Sequence, residues 1–183
     1  MKHLRRILIM LLVTGAFVGG LYYTHVIGLW PPRVFTDPLE GPEELRLRND
    51  CMGEGHFGAR RSGGRRKHKG VDLLAPVGTP VVAICRAKVL RTGNHNSGYG
   101  KFVELLHWDN SRSLYAHLSE ISVKKGQVVS RGQVIGRVGK TGNAGHRLIK
   151  PHLHFEIIMD GKHVDPMEYI GTEAKPQGVK KQG

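Results

Sequence analysis

Short apolar runs separated by glycine-rich turns fill most of the chain from His68 onward. They are HKGVDLLAP, TPVVAICRAKVLRTG, GKFVELLHW, SRSLYAHLS, VKKGQVVSRGQVIGRVG and KPHLHFEII. Runs of about four to eight residues rich in Val and Ile, bounded by Gly and Pro, are typical of strands. The pattern therefore predicts an all-β, mainly antiparallel fold, arranged as a compact barrel or sandwich.

Residues 1–30 have a different pattern. A basic start, residues 1–6, precedes residues 7–30, which contain no Asp, Glu, Lys or Arg. An apolar run of this length predicts one transmembrane helix, and the basic flank predicts a cytoplasmic N-terminus. The alternative is a cleaved signal peptide, with Ile7 to Val13 as its apolar region and Thr14-Gly15-Ala16 as its cleavage site. Under either prediction, the rest of the chain lies outside the cytoplasm.

The remaining chain divides by composition into three segments. Pro31-Pro32 and the stretch TDPLEGPEE predict a linker over residues 31–49, because proline stiffens the backbone and discourages a helix. The folded domain is expected over residues 50–170, where the strand-like runs lie. Residues 171–183 are polar and basic, and they are predicted to be disordered.

The net charge of +13 is concentrated in places, above all in residues 59–69, ARRSGGRRKHK. Positive charge of this density ordinarily indicates a nucleic-acid-binding surface, because neutralisation of phosphates supplies most non-specific affinity for nucleic acid. Export argues against nucleic acid as a partner. The segment instead predicts attraction to acidic cell-envelope polymers or lipid head groups, with a solvated basic loop as the alternative.

The two cysteines, Cys51 and Cys85, lie on the exported side of the chain. A disulfide can persist there, and the chain has no C-x-x-C pair that would indicate zinc or redox chemistry. A Cys51–Cys85 disulfide and two separate buried thiols therefore remain alternatives.

Histidines supply the candidate chemistry. His152 and His154 occupy alternate positions of the strand-like run KPHLHFEII, so both are expected on one side of the strand. Such a pair can bind a metal together, or one imidazole can bind it while the other moves protons. The alternative is a hydrogen-bonded pair on the polar face of an edge strand that binds no metal.

Two other motifs complete a possible site. His68 and Asp72, in HKGVD, carry an imidazole and a carboxylate, both ordinary zinc ligands. With one histidine of HLH they make three protein ligands, the usual number at a catalytic zinc whose fourth position is left to water. His117, in YAHLS, is expected on the same polar face or, alternatively, at a strand end on the surface.

Together these motifs resemble the lysostaphin-type, or LytM-like, zinc peptidases of family M23. The matching pieces occur in the family's order over about His56 to Tyr169; they are HKGVDL with AP-x-GTPVVA, GYG, YAHLS, VKKGQVVSRGQVIGRVGKTG, and PHLHFEI with VDP. The resemblance implies one zinc ion bound by His68, Asp72 and His154. It also implies that His117 and His152 are the non-ligand catalytic histidines. Either imidazole can act as general base while the other donates a hydrogen bond to the developing oxyanion, and His152 is favoured as the base.

The resemblance also implies a fold and a function. The fold is a small LytM/lysostaphin-type antiparallel β domain, a barrel-sandwich with a narrow groove over the metal. The implied function is a zinc endopeptidase that hydrolyses peptide cross-links of peptidoglycan. Together with the predicted single-pass anchor in the inner membrane, it predicts cleavage of D-alanyl-diaminopimelate bonds in the periplasm, with glycine bridges or non-wall proteins as alternative targets. The alternatives are a non-catalytic LytM-like activator of another wall hydrolase, and an exported basic module for acidic polymers that binds no metal.

The chain departs from the family pattern in three places. Residues 143–150, NAGHRLIK, replace a shorter segment and are expected to alter the groove wall beside the HLH strand. Arg86-Ala87 stand where the family often has an acidic residue and glycine in a turn. The peptidase is also not accompanied by a wall-binding repeat or a large shielding domain, which leaves targeting to the predicted anchor and the basic segment.

Overall fold

The computed structural model describes residues 35–41 and 44–170. The predicted anchor or signal peptide, residues 7–30, and the predicted disordered tail, residues 171–183, lie outside these described residues. Within them, no helix is long and apolar enough to cross a bilayer. The helical elements found there are three 3-10 turns, Ser62–Gly64, Gly142–Gly145 and Pro166–Glu168.

Thirteen short strands dominate the described residues. They are β1 (Asn49–Asp50), β2 (Gly53–Glu54), β3 (Arg60–Arg61), β4 (Arg66–Lys67), β5 (Val71–Leu74), β6 (Pro80–Val82), β7 (Ala87–Asn94), β8 (Lys101–His107), β9 (Arg112–Ile121), β10 (Val128–Val129), β11 (Val134–Val138), β12 (His152–Met159) and β13 (Lys162–Val164). Nine of them form one antiparallel sheet with the order β10-β7-β8-β9-β11-β6, in which β12 pairs with β9, β5 and β13. The pairs β1-β2 and β3-β4 form two separate ribbons.

Strand β12 combines a core face with a polar face. Leu153, Phe155 and Ile157 are fully buried in the main hydrophobic core. Because side chains alternate along a strand, His152, His154 and Glu156 project to the opposite face. The strand is paired on both sides, with β5 and with β9, and this pairing holds the polar side chains at fixed positions.

The linker prediction for residues 31–49 is wrong over its described part. Phe35 and Leu39 are buried in the core, and Leu39 forms an isolated bridge with Val81. A second bridge joins Leu47 to Leu73 of β5. The segment runs extended along the domain, where a few apolar anchors and backbone hydrogen bonds fix it, so its proline-rich composition did not indicate a linker.

Cys51 and Cys85 do not form a disulfide in the described structure. Cys51 is exposed, whereas Cys85 is partly buried and its Sγ lies 2.9 Å from Nδ1 of His107. The alternative of two separate thiols therefore describes the structure, although only one of them is shielded from solvent.

Candidate metal centre

The register of two strands brings together residues that are distant in sequence. His154 of β12 lies directly opposite Asp72 of β5. His68 precedes β5, and its backbone is fixed by reciprocal hydrogen bonds, from its N–H to the Ala59 carbonyl and from the Gly58 N–H to its own carbonyl, both 2.9 Å. Gly70 permits this approach, since a Cβ there would lie 2.2 Å from the Phe155 carbonyl oxygen.

Three potential ligand atoms converge on one point between these elements. His154 Nδ1 lies 2.8 Å from Asp72 Oδ1, and His68 Nε2 lies 3.0 Å from His154 Nδ1 and 3.1 Å from Asp72 Oδ1. All three side chains are buried. They are the one group of three or more His, Cys, Asp or Glu among the described residues that is arranged to hold a metal ion.

The second ring nitrogen of each histidine decides which atom faces this point. His68 Nδ1 lies 2.9 Å from the His56 carbonyl oxygen, and His154 Nε2 lies 2.9 Å from Glu156 Oε1. Both partners are acceptors, so the histidines donate to them. In the neutral imidazoles, the lone pairs of His68 Nε2 and His154 Nδ1 then face Asp72 Oδ1. Such converging lone pairs are stabilised by positive charge between them, supplied by a proton shared between His154 and Asp72 or by a metal ion. The two-nitrogen, one-oxygen donor set suits zinc.

The electrostatics of His154 agree with a site built for positive charge. Burial opposes its protonation, but the hydrogen bonds to Asp72 and Glu156 outweigh burial and raise the pKa of His154 to about 9. The pKa of Asp72 is shifted the other way: burial disfavours the carboxylate, yet the contacts with His154 and His68 hold its pKa well below the usual range.

Two guanidinium groups hold the other oxygen of Asp72. Oδ2 accepts hydrogen bonds from Arg48 Nη2 at 3.0 Å, from Arg48 Nε at 3.2 Å and from Arg61 Nη2 at 3.0 Å. Arg48 is buried and also donates to Asp50 Oδ1 at 2.6 Å. Because Oδ2 is fully occupied, Oδ1 alone is available to a metal ion.

His152 and His117 lie beside the three converging atoms. Their rings are 5.1 Å apart, and His152 Nε2 is 3.8 Å from Asp72 Oδ1. His152 Nδ1 donates to the Lys150 carbonyl at 2.7 Å, and His117 Nδ1 donates to the Thr141 carbonyl at 2.9 Å. Each neutral ring therefore keeps its Nε2 lone pair unprotonated.

Burial keeps these two histidines neutral. It lowers the pKa of His117 to about 3, with the neighbouring His154 and His152 adding to the effect. Burial also lowers the pKa of His152, although Asp72 opposes that shift. Neutral imidazoles with unprotonated Nε2 atoms are suited to accept a proton.

Sequence reasoning missed several residues of this site, Arg48, Arg61, Tyr99 and Glu156 among them. The Tyr99 hydroxyl donates to Glu156 Oε1 at 2.8 Å, and its ring stacks on His154 at 5.7 Å between centroids. Glu156 had a signal, because it continues the alternation of His152 and His154. The two arginines had none, since their contacts with Asp72 depend on tertiary folding.

The five predicted site residues, His68, Asp72, His117, His152 and His154, all line one open cavity of about 790 Å³. The segment 143–150 contributes Asn143, Ala144 and Ile149 to its wall. The backbone N–H and side-chain Oδ1 of Asn143 pair with the carbonyl and N–H of Gly98, each at 3.0 Å. The segment is therefore fastened to the loop that carries Tyr99, on one side of the cavity.

The profile of Peptidase family M23 matches residues 66–166, more than half of the chain. The chain belongs to peptidase family M23. It is 45% identical over 101 residues to the peptidoglycan DD-endopeptidase ShyA of Vibrio cholerae, which is 55% of this chain and 22% of that protein. It is 36% identical over 114 residues to the murein hydrolase activator NlpD of Escherichia coli, which is 62% of this chain and 28% of that protein.

Among solved structures, the catalytic domain of lysostaphin from Staphylococcus simulans aligns with a TM-score of 0.53 at 36% identity. The alignment covers 66% of this chain and 90% of the lysostaphin domain. The LytM-like family and the mainly antiparallel β fold predicted from the sequence are thereby confirmed. The chain matches only about a quarter of the length of ShyA and NlpD.

Proposed function

We propose that this M23 protein is a zinc-dependent endopeptidase that hydrolyses peptide cross-links of peptidoglycan. One observation carries the proposal: three metal-donor atoms and two neutral imidazoles meet in one cavity, with the second ring nitrogen of every histidine already engaged. The similarity to ShyA, a peptidoglycan DD-endopeptidase by name, supports the choice of substrate.

His68 Nε2, Asp72 Oδ1 and His154 Nδ1 are the atoms that would hold the ion. Bound zinc would supply a water of lowered pKa and would polarise the scissile carbonyl. Around it, Arg48 and Arg61 hold Asp72 so that one oxygen faces inward, and Glu156 fixes the ring of His154. Such outer partners orient ligands and increase their basicity.

His152 suits the role of general base. Its Nε2 is unprotonated, and the Lys150 carbonyl fixes its ring by accepting from Nδ1. When Nε2 accepts the proton of the attacking water, Asp72 Oδ1 at 3.8 Å stabilises the imidazolium that forms. The same proton can then pass from Nε2 to the leaving amine.

In this proposal His117 takes neither of the two roles left open for it by the sequence, general base or hydrogen-bond donor to the oxyanion. Donation to an oxyanion from Nε2 would require a protonated ring, because Nδ1–H already donates to Thr141. The lowered pKa of His117 opposes that state. We therefore assign the Nε2 lone pair of His117 to orienting the attacking water.

The proposed bond is the D-alanyl-diaminopimelate cross-link, cut in the periplasm with residues 7–30 as the anchor or signal peptide. The name of ShyA, a DD-endopeptidase, supports the choice of bond. The composition of residues 1–30 supports the periplasmic location.

A non-catalytic activator is the second candidate, because NlpD is named as a murein hydrolase activator. An activator needs neither converging ligand atoms nor neutral imidazoles beside them. This chain keeps all five polar residues, which favours the enzyme.

Zinc analysis followed by digestion of intact sacculi separates these functions. We expect about one zinc ion per purified chain and, on incubation, loss of cross-linked muropeptides. Zinc without any loss of cross-links would contradict the enzyme and favour the activator, which can be checked by adding a separate wall hydrolase. A protein that binds sacculi but no zinc would instead be a binding module for acidic polymers.

A further inference from the structure

The basic segment predicted as a separate polymer-binding surface is part of the cavity wall. Strands β3 and β4 fold it into a ribbon, and Arg61, Arg66, Lys67 and Lys69 all line the cavity. Lys67 and Lys69 are the residues on either side of His68, so both lie next to the proposed metal ligand in sequence. We call these two exposed lysines the basic rim.

The ribbon itself holds like charges close together. Its register places Arg60 opposite Lys67 and Arg61 opposite Arg66. Like charges directly opposite each other destabilise an antiparallel pair. Arg61 is compensated by Asp72 and by the Glu54 carbonyl oxygen. Among the ion pairs of the described residues, none involves Lys67 or Lys69. A bound anion beside Lys67 would relieve the repulsion between Lys67 and Arg60.

The cavity as a whole also carries more positive than negative side chains, which favours an anionic ligand. Five Arg and Lys residues line it against two carboxylates, Asp72 and Glu156. Both carboxylates are already engaged, Asp72 by two guanidinium groups and Glu156 by Tyr99 and His154. Positive walls of a cleft attract anionic ligands and raise their local concentration.

We infer that the basic rim is a carboxylate subsite, which binds a free carboxylate that the substrate peptide carries beside its scissile bond. This inference rests on the proposed function and specifies its substrate. A substrate carboxylate is favoured over an acidic polymer because the two lysines flank His68 and line the cavity, so a peptide bound over the candidate metal centre passes beside them. Lysine ammonium groups on long stems suit a charge whose position varies.

The test uses two forms of a soluble cross-linked peptide dimer, one with the carboxylate beside the scissile bond free and one with it amidated. The double variant Lys67→Gln/Lys69→Gln removes the rim charge. Lys124→Gln/Lys125→Gln is the matched control, because these lysines are also exposed and adjacent but do not line the cavity. Lys67→Arg/Lys69→Arg keeps the charge. For the wild-type protein and each variant, kcat, KM and the equilibrium affinity are measured with both peptide forms.

We expect the wild-type protein and the control to bind the free carboxylate roughly fivefold or more tightly than the amide, with the difference in KM rather than kcat. The Gln double variant should lose this preference, and the Arg double variant should keep it.

Equal affinity of the wild-type protein for the two forms would overturn the inference while leaving the proposed function intact. A Gln double variant that loses sacculus binding but keeps its preference among soluble dimers would also overturn it, in favour of polymer docking. A retained affinity preference without cleavage of either form supports the subsite and contradicts the proposed function alone.

Discussion

His117 adopts a backbone conformation that few residues other than glycine tolerate. Its φ is 64°, although it lies within strand β9, and its N–H donates to the Tyr99 carbonyl at 2.9 Å. A left-handed conformation costs a residue with a Cβ about 1–2 kcal/mol. The pairing of β9 with β8 shifts register between Tyr115 and Leu118, so the strand bulges at this position. The bulge brings the His117 ring beside that of His152, which ties the backbone strain to the site.

Replacing His117 separates this strain from the loss of its ring. His117→Gly and His117→Ala both remove the imidazole, but only glycine adopts this φ without cost. We expect the Gly variant to exceed the Ala variant by about 1 kcal/mol in free energy of unfolding, and both to lose activity. Denaturant unfolding measures the difference. Equal stabilities would mean that the backbone at this position is not strained.

Asp72 and His152 should respond differently to truncation. Asp72→Ala removes a proposed ligand and takes away the carboxylate that Arg48 and Arg61 share, so we expect loss of zinc and a destabilisation of about 3 kcal/mol. His152→Ala should keep zinc and lower turnover by about 10²- to 10⁴-fold. Zinc content and cleavage rate are measured on both proteins. A metal-free His152→Ala protein would show that the ligand assignment is wrong.

At the level of elements, the period-two alternation of strands was the most informative sequence signal. It placed His152 and His154 on one face of β12, and the structure adds Glu156 two residues further on. The arginines were not predictable in this way, because Arg48 reaches Asp72 across 24 residues of sequence and Arg61 across 11. Alternation describes one strand, whereas such contacts depend on how separate elements meet.

The segment before β1 is connected to the candidate metal centre through Arg48. This side chain contacts Asp72 Oδ2 and Asp50 Oδ1, and Asp50 Oδ2 accepts from the Lys150 N–H at 3.1 Å. The carbonyl of Lys150 in turn fixes the His152 ring. One buried guanidinium thus connects the N-terminal segment, the proposed ligand Asp72 and the end of the segment 143–150.

Arg48→Met should weaken this connection without emptying the space that the side chain fills. We expect a reduction of roughly tenfold in zinc affinity, because an outer partner of a ligand is lost. Arg46→Met is the control, since the Arg46 side chain is exposed and pairs with Glu44 at the surface. Competition with a chromogenic chelator measures both affinities. An unchanged affinity in Arg48→Met would show that Arg61 alone suffices to hold Asp72.

For the whole molecule, the sequence predicted the fold class better than the extent of the folded unit. The dense apolar runs from β5 to β12 made the sheet evident. Residues 35–48 have few apolar positions, two prolines and six charged residues, yet Phe35 and Leu39 join the same core as Tyr115 and Phe155. A segment that joins the domain through a few buried apolar side chains and backbone hydrogen bonds shows little hydrophobic periodicity in its sequence.

A comparison of two shortened proteins tests whether this segment belongs to the domain. A protein beginning at residue 50 loses Phe35 and Leu39, each worth about 1.5–3 kcal/mol when fully buried, and also loses Arg48. We expect it to unfold at a clearly lower temperature than a protein beginning at residue 34 and to bind zinc more weakly. Thermal unfolding with and without added zinc measures both effects, since a ligand that binds only the folded state raises the transition. Equal transitions would mean that strands β2 to β13 fold without the segment, and its packing would then be a consequence of the fold rather than a part of its stability.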